Sequence, residues 1–134
     1  MIHSVRFTCV LDTNVIYPID IRDILFWFAS YDLFTPKWSK HIFNEWENVM
    51  IRKGIPDEEI KKRLKKAQLA FPDALVDNYE PLVNSLELPD EKDRHVLAAA
   101  IKTNANIIVT NNIKDFPSAY LASFGIAAKT ADDF

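Results

Sequence analysis

Phe7-Thr8-Cys9-Val10-Leu11-Asp12-Thr13-Asn14-Val15 begins as a short apolar, β-prone run and breaks off in three polar residues. A strand buried on both faces of a parallel sheet reads this way. In open α/β sheets, ligands and reacting groups gather just beyond the carboxyl ends of the strands. Asp12 stands at such an end, so the rest of the chain is read for acids that could meet it.

Outward from this run, strands and helices alternate. The first strand is expected over residues 5–11. Asp20, followed by Asp23, reads as the cap of a helix through Leu25, Phe26, Phe28 and Ala29. Leu33-Phe34-Thr35-Pro36 reads as a second short strand stopped by its proline. A helix is expected from Ser39 to Arg52, apolar at Ile42, Phe43, Trp46, Val49 and Met50, with Gly54 as its stop. Pro56 opens another, ending near Phe71. Its Lys61, Lys62, Arg63, Lys65 and Lys66 read as a solvated face, with a basic edge for phosphates as the alternative.

Residues 73–88 read as a strand near Leu75–Tyr79 and then a short helix. Pro89 opens a helix running to Thr103, and Asn106 to Thr110 is a buried strand. A short helix from Ser118 to Phe124 and a last strand from Gly125 to Lys129 follow. Thr130 with Asp133 resembles a helix cap, which raises the expectation of a C-terminal tail beyond Phe134. The alternation predicts a three-layer α/β/α sandwich around a short parallel central sheet.

At 134 residues the chain is long enough for one domain with a sizeable core, expected to span residues 1–134. Its 49% hydrophobic and 26% charged content argues against a disordered chain, and 2 glycines and 7 prolines argue against linkers. Cys9 is the single cysteine, so no intramolecular disulfide can form, which fits a cytoplasmic protein. No stretch reaches transmembrane length, so a membrane partner is not expected. A net charge of -3 gives no global pull on nucleic acid, although a cation among the acids would reverse that locally.

Asp93 is the most informative of the other acids. At 100° per residue, Val96, Leu97, Ala100 and Ile101 form a stripe centred within roughly 20° of it. A carboxylate under a core-facing stripe is costly unless paired or metal-bound. The structural alternative is a capping box with Asp90 as cap and Asp93 three residues on. His95 falls on the opposite face and is expected in solvent. Glu45 and Glu47 flank the apolar face of their helix on either side by about 100°, and periodicity does not choose between them. Asp115 follows the Ile107–Thr110 strand by a short loop, where a plain turn residue would also serve. Thr110 and Asn112 offer neutral oxygens nearby.

Clustered carboxylates repel, and one stays protonated unless a cation neutralises them. Hard oxygen ligands without thiolates select Mg²⁺ or Mn²⁺. Such a site suits phosphodiester hydrolysis, because the metal acidifies a bound water and stabilises charge on the phosphate.

With these residues in place, the chain resembles the PIN domain family, and within it the bacterial toxins of the VapC kind. Four segments carry the likeness in order: Leu11 to Val15, Ser39 to Trp46, Asp90 to Ala100, and Val109 to Phe116. It spans about residues 7 to 130. The resemblance implies an acidic, metal-binding catalytic centre of Asp12, Glu45, Asp93 and Asp115, and so favours Glu45 over Glu47. Asp90 sits where some members carry an additional acid. Thr13, Asn14 and Thr110 match residues that orient acids and water. Asn112 stands where some members have Asp, which weakens the case for a full second metal site.

The implied activity is a Mg²⁺- or Mn²⁺-dependent endoribonuclease. A metal-activated water would cut RNA to leave a 5′-phosphate and a 3′-hydroxyl. The implied partners are the RNA substrate, a cognate antitoxin and a second copy in a homodimer. Arg52, Lys53, Lys92 and Arg94 are the sequence-near candidates for RNA backbone contact. Rival readings are a PIN-like binding or scaffolding module without activity, and a housekeeping RNA-processing nuclease. A receiver-like phospho-acceptor domain fits less well, since it needs paired acids after the first strand and only Asp12 is there.

Overall fold

A computed structural model describes residues 7–134. Residues 5 and 6 of the expected first strand lie outside the described residues. Five parallel strands form one sheet in the order β3-β2-β1-β4-β5. They are β1 (Phe7–Leu11), β2 (Phe34–Ser39), β3 (Leu75–Val76), β4 (Ile107–Val109) and β5 (Ala127–Lys129). β1 is central: Cys9 pairs with Pro36 of β2 on one side and with Ile107 of β4 on the other. Cys9, Val10, Leu11, Ile108 and Val109 are fully buried, as a run coated on both faces requires. The helices α1 (Thr13–Ile16), α2 (Ile19–Ser30), α3 (Lys40–Arg52), α4 (Asp57–Ala70), α5 (Glu80–Val83), α6 (Arg94–Lys102) and α7 (Ser118–Ala122) complete the three-layer α/β/α sandwich.

The chain leaves β1 toward β2 and later returns to pair β4 on the opposite side of β1. In such sheets that reversal marks the crevice where ligands usually bind, here at the carboxyl ends of β1 and β4. Asp12 and Thr110 follow those two strands directly.

Several local expectations are corrected. α2 starts at Ile19 after Pro18 and has no side-chain cap, so Asp20 lies inside its first turn. The cap belongs instead to Asp12, whose carboxylate accepts from the Thr13 amide and starts the unforeseen one-turn α1. β2 runs through Pro36 to Ser39. β3 pairs only with Trp38 and Ser39, so Pro36 lies where the outer side of β2 has no strand, and a missing N–H is tolerated there. The helix expected from Pro89 begins as a 3-10 turn, Glu91–Asp93, before α6.

Other expectations hold. Ser39 caps α3 by accepting from the Ile42 amide, and Gly54 closes the next turn at φ +76, a conformation that favours glycine. Residues 73–88 form the short strand β3 and the short helix α5. Thr130 Oγ1 accepts from the Asp133 amide at 3.2 Å, as a cap does. Cys9 is free, and burial pushes its thiol up to about 12, so it is an inert core residue. No helix among the described residues is long and apolar enough to cross a membrane.

Candidate functional site

The crevice is built on Asp12. Its Oδ1 accepts from the Thr13 amide at 2.8 Å. Its Oδ2 accepts from Asn14 Nδ2 at 3.2 Å and from Thr110 Oγ1 at 2.9 Å. Thr110 Oγ1 in turn accepts from Asn14 Nδ2 and from the Asn112 amide. Asn111 closes the network, since its amide donates to Asn14 Oδ1 and its Nδ2 donates to the Asn14 carbonyl. β1 and β4 are thereby tied together at their carboxyl ends. Burial raises the Asp12 pKa, the hydrogen bonds from Thr110 and Thr13 oppose that rise, and Glu45 adds to it.

Glu45, on α3, accepts a hydrogen bond from Thr13 Oγ1 at 3.0 Å, so it is the glutamate of this helix that the structure brings to the β1 end. Asp93 ends the 3-10 turn before α6. Asp90 accepts from the Lys92 amide, but Asp93 makes no side-chain cap bond. The reciprocal capping box is therefore absent. Asp93 Oδ2 is buried and has no hydrogen-bond partner among the described residues. Burial, then the charges of Asp12, Asp90, Asp115 and Glu45, push its carboxyl up to about 7. Five acids thus share one electrostatic neighbourhood, and the one at the start of α6 is least accommodated.

The basic candidates are scattered. Arg52 is exposed at the end of α3, and Lys53 lies over the Tyr17 ring at 4.8 Å. Lys92 is exposed, and Arg94 pairs with Glu91 at 3.5 Å. On α4, Lys61 pairs with Asp57 and Arg63 with Glu59 at i,i+4 spacing, as a solvated face does.

His95 is corrected from exposed to buried, at 6% exposure. α6 packs against β1, β2, β4 and α5, so His95 to Ala100 are all buried and no face of that stretch meets solvent. His95 Nε2 lies 3.5 Å from Glu45 Oε1, its Nδ1 lies 3.3 Å from Ser39 Oγ, and its ring stacks on His41 at 3.8 Å. Burial first, then His41, lower its pKa to about 3, so the ring is neutral at neutral pH. The sequence assigns no site role to Asn111 or His41, and for Ser39 it marks only the start of α3. The spacing of His41 and Glu45, one turn apart on α3, is the signal that could have found His41.

A profile of the PIN domain matches residues 8–114. The chain belongs to the PIN domain family. A 43-residue stretch is 54% identical to the Mycobacterium tuberculosis protein named "Putative ribonuclease VapC50". That match covers 32% of this chain and 25% of the relative. The acids of the crevice therefore lie in a PIN scaffold, and the five-stranded parallel sheet is the PIN-like sandwich expected from the sequence.

Proposed function

We propose that this PIN protein is a metal-dependent endoribonuclease of the VapC type, the toxin of a toxin–antitoxin pair. The observation that carries the proposal is the buried, partnerless Oδ2 of Asp93 among Asp12, Glu45, Asp90 and Asp115. An anionic oxygen so placed calls for a cation, and an all-oxygen set suits Mg²⁺ or Mn²⁺. Asp12, Glu45, Asp93 and Asp115 would hold the ion, with Asp90 as an accessory. When bound, it supplies an acidified water and charge stabilisation at a phosphate.

The chain's own residues prepare that site. Thr13, Asn14 and Thr110 fix the Asp12 carboxylate in one orientation, and Thr13 also aims Glu45. Asn112 is tied to Thr110 Oγ1 by its backbone N–H and brings no charge to the end of β4. Arg52, Lys53, Lys92 and Arg94 serve as the RNA backbone contacts. Support for ribonuclease chemistry comes from the family and from the name of the mycobacterial relative. An antitoxin would silence the protein by covering the acidic crevice, and VapC-type proteins provide the precedent for that partner and for a homodimer.

The test is cleavage of a panel of structured and single-stranded RNAs with Mg²⁺, Mn²⁺ or EDTA, beside Asp12→Asn and Asp93→Asn proteins. Cutting that needs the metal and is lost in both variants is expected. Cutting that survives in both, or a metal-replete folded protein inert on every RNA, would overturn the reading.

A further inference from the structure

Glu45 faces a second set of ligands on its other side. His41 and Glu45 lie one turn apart on α3, and His95 reaches them from α6. Among the described residues, one ligand atom from each of these three lies within 4.8 Å of the other two. The two imidazoles stack nearly parallel, at 8° and 3.8 Å, so their in-plane lone pairs run side by side, and the exposed His41 ring must swing for both to meet one ion. Ser39 Oγ already accepts from the Ile42 amide. Its remaining lone pair, 3.3 Å from His95 Nδ1, can accept the Nδ1 proton and free the Nε2 lone pair toward Glu45. Histidine ligands to metals are commonly oriented by such a partner on the other ring nitrogen. The site is open on one side. A groove of about 280 Å³, lined by Lys40, His41, Asn44, Glu45, Asn48, Tyr79 and Glu80, opens onto His41 and Glu45 and leaves room for water ligands.

We propose that His41, Glu45 and His95 form a site for a borderline-soft divalent transition ion of the Zn²⁺ class, distinct from the all-oxygen centre but sharing Glu45 with it. Two imidazoles and a carboxylate are the donor set that favours such an ion over Mg²⁺. Donors around a tetrahedral ion with bonds of about 2.0–2.1 Å lie roughly 3.3 Å apart. His95 Nε2 and Glu45 Oε1, at 3.5 Å, are nearly there already, and the widest separation, within 4.8 Å, must close by up to about 1.5 Å. His41 is on the surface and the Glu45 side chain is 41% exposed, so both have the freedom to move. The regulatory consequence rests on the nuclease reading. Glu45 Oε1 is the atom near both Thr13 Oγ1 and His95 Nε2. An ion held on that oxygen by the histidines competes with the Thr13 contact and withdraws Glu45 from the acidic crevice. Zn²⁺ is then an inhibitor of Mg²⁺-dependent cleavage.

Binding is tested without activity, by titrating the purified full chain with Co²⁺ and following its visible absorption, with Zn²⁺ as the competitor. With excess Mg²⁺ present to occupy the oxygen centre, low-symmetry, intense Co²⁺ bands that saturate at one equivalent are expected. His41→Ala, at an exposed position, should weaken binding at least about 10-fold. Asp93→Asn should retain it. Unchanged Co²⁺ affinity in His41→Ala, loss of the bands in Asp93→Asn, or no saturable binding by the wild type would overturn the site. In the cleavage assay, Zn²⁺ should inhibit at a concentration that His41→Ala raises by a similar factor. Co²⁺ binding as described in a protein that cuts no RNA would leave the site standing and count against the nuclease reading alone.

Discussion

Asp12, at the end of β1, accepts hydrogen bonds from three donors, whereas Asp93, just before α6, leaves a buried oxygen with none. The two carboxylates feel each other's charge and so share one neighbourhood. The first is part of the scaffold: its oxygens start α1 and join the ends of β1 and β4. The second is tolerated by the scaffold and stabilises nothing that the structure shows. Within one site, then, one acid is a structural keystone and another is held at a cost, and the held one marks where an external cation is needed.

The largest expected effect separates the two roles. Asp12→Ala strips an acceptor from the Thr13 amide, Asn14 Nδ2 and Thr110 Oγ1 at once, which should destabilise the protein by about 2–4 kcal/mol. Urea denaturation of the metal-free protein measures this, and a loss below about 1 kcal/mol would mean that the network is incidental.

Asp93→Asn should have the opposite sign. The Asp93 pKa is raised from 3.8 to about 7, so the folded state keeps a proton that the unfolded state releases between those values. The contribution of Asp93 to stability is therefore full below about pH 3.8 and is lost as pH rises through about 7. Discounted for its partial exposure, the difference should reach about 1–3 kcal/mol in favour of the variant above pH 7. Parallel melting curves of wild type and variant between pH 4 and 8 would show the gap opening with pH. A gap that is constant or widens toward acid would break the contrast between the two aspartates.

The smallest effect concerns charge without burial. Lys61 and Asp57 of α4 are both largely exposed, and Lys61→Ala should shift stability by less than about 0.5 kcal/mol. The salt dependence of RNA binding should stay as in wild type. A shallower slope in Lys61→Ala would place α4 in the RNA footprint.

Much of this was legible in the chain because its strands are short, apolar and sharply ended. Phe7 to Leu11 and Ile107 to Val109 each stop at a polar residue, and both turned out to be neighbours at the sheet reversal. The position of Asp93 under an apolar stripe was also readable, since periodicity survives in a nine-residue helix and the turn before it. The wheel failed one residue pair further on. It placed His95 in solvent, but α6 is covered on nearly every side, and a helix that is buried all round has no polar face to find. Helix α1 was missed because four residues carry no period. The choice of Glu45 over Glu47 depends on Thr13 and His95, which reach it from distant parts of the chain, and no local pattern holds that information.

The measurement that bears most directly on the account is Mn²⁺ binding at pH 7.5, followed by calorimetry in wild type and Asp93→Asn proteins. Saturable binding by the wild type that weakens at least about 10-fold in the variant, and that weakens in the wild type as pH falls below 7, is the predicted result. Equal binding by both proteins, or none by a folded wild type, would contradict the claim that the partnerless carboxylate of Asp93 awaits a cation.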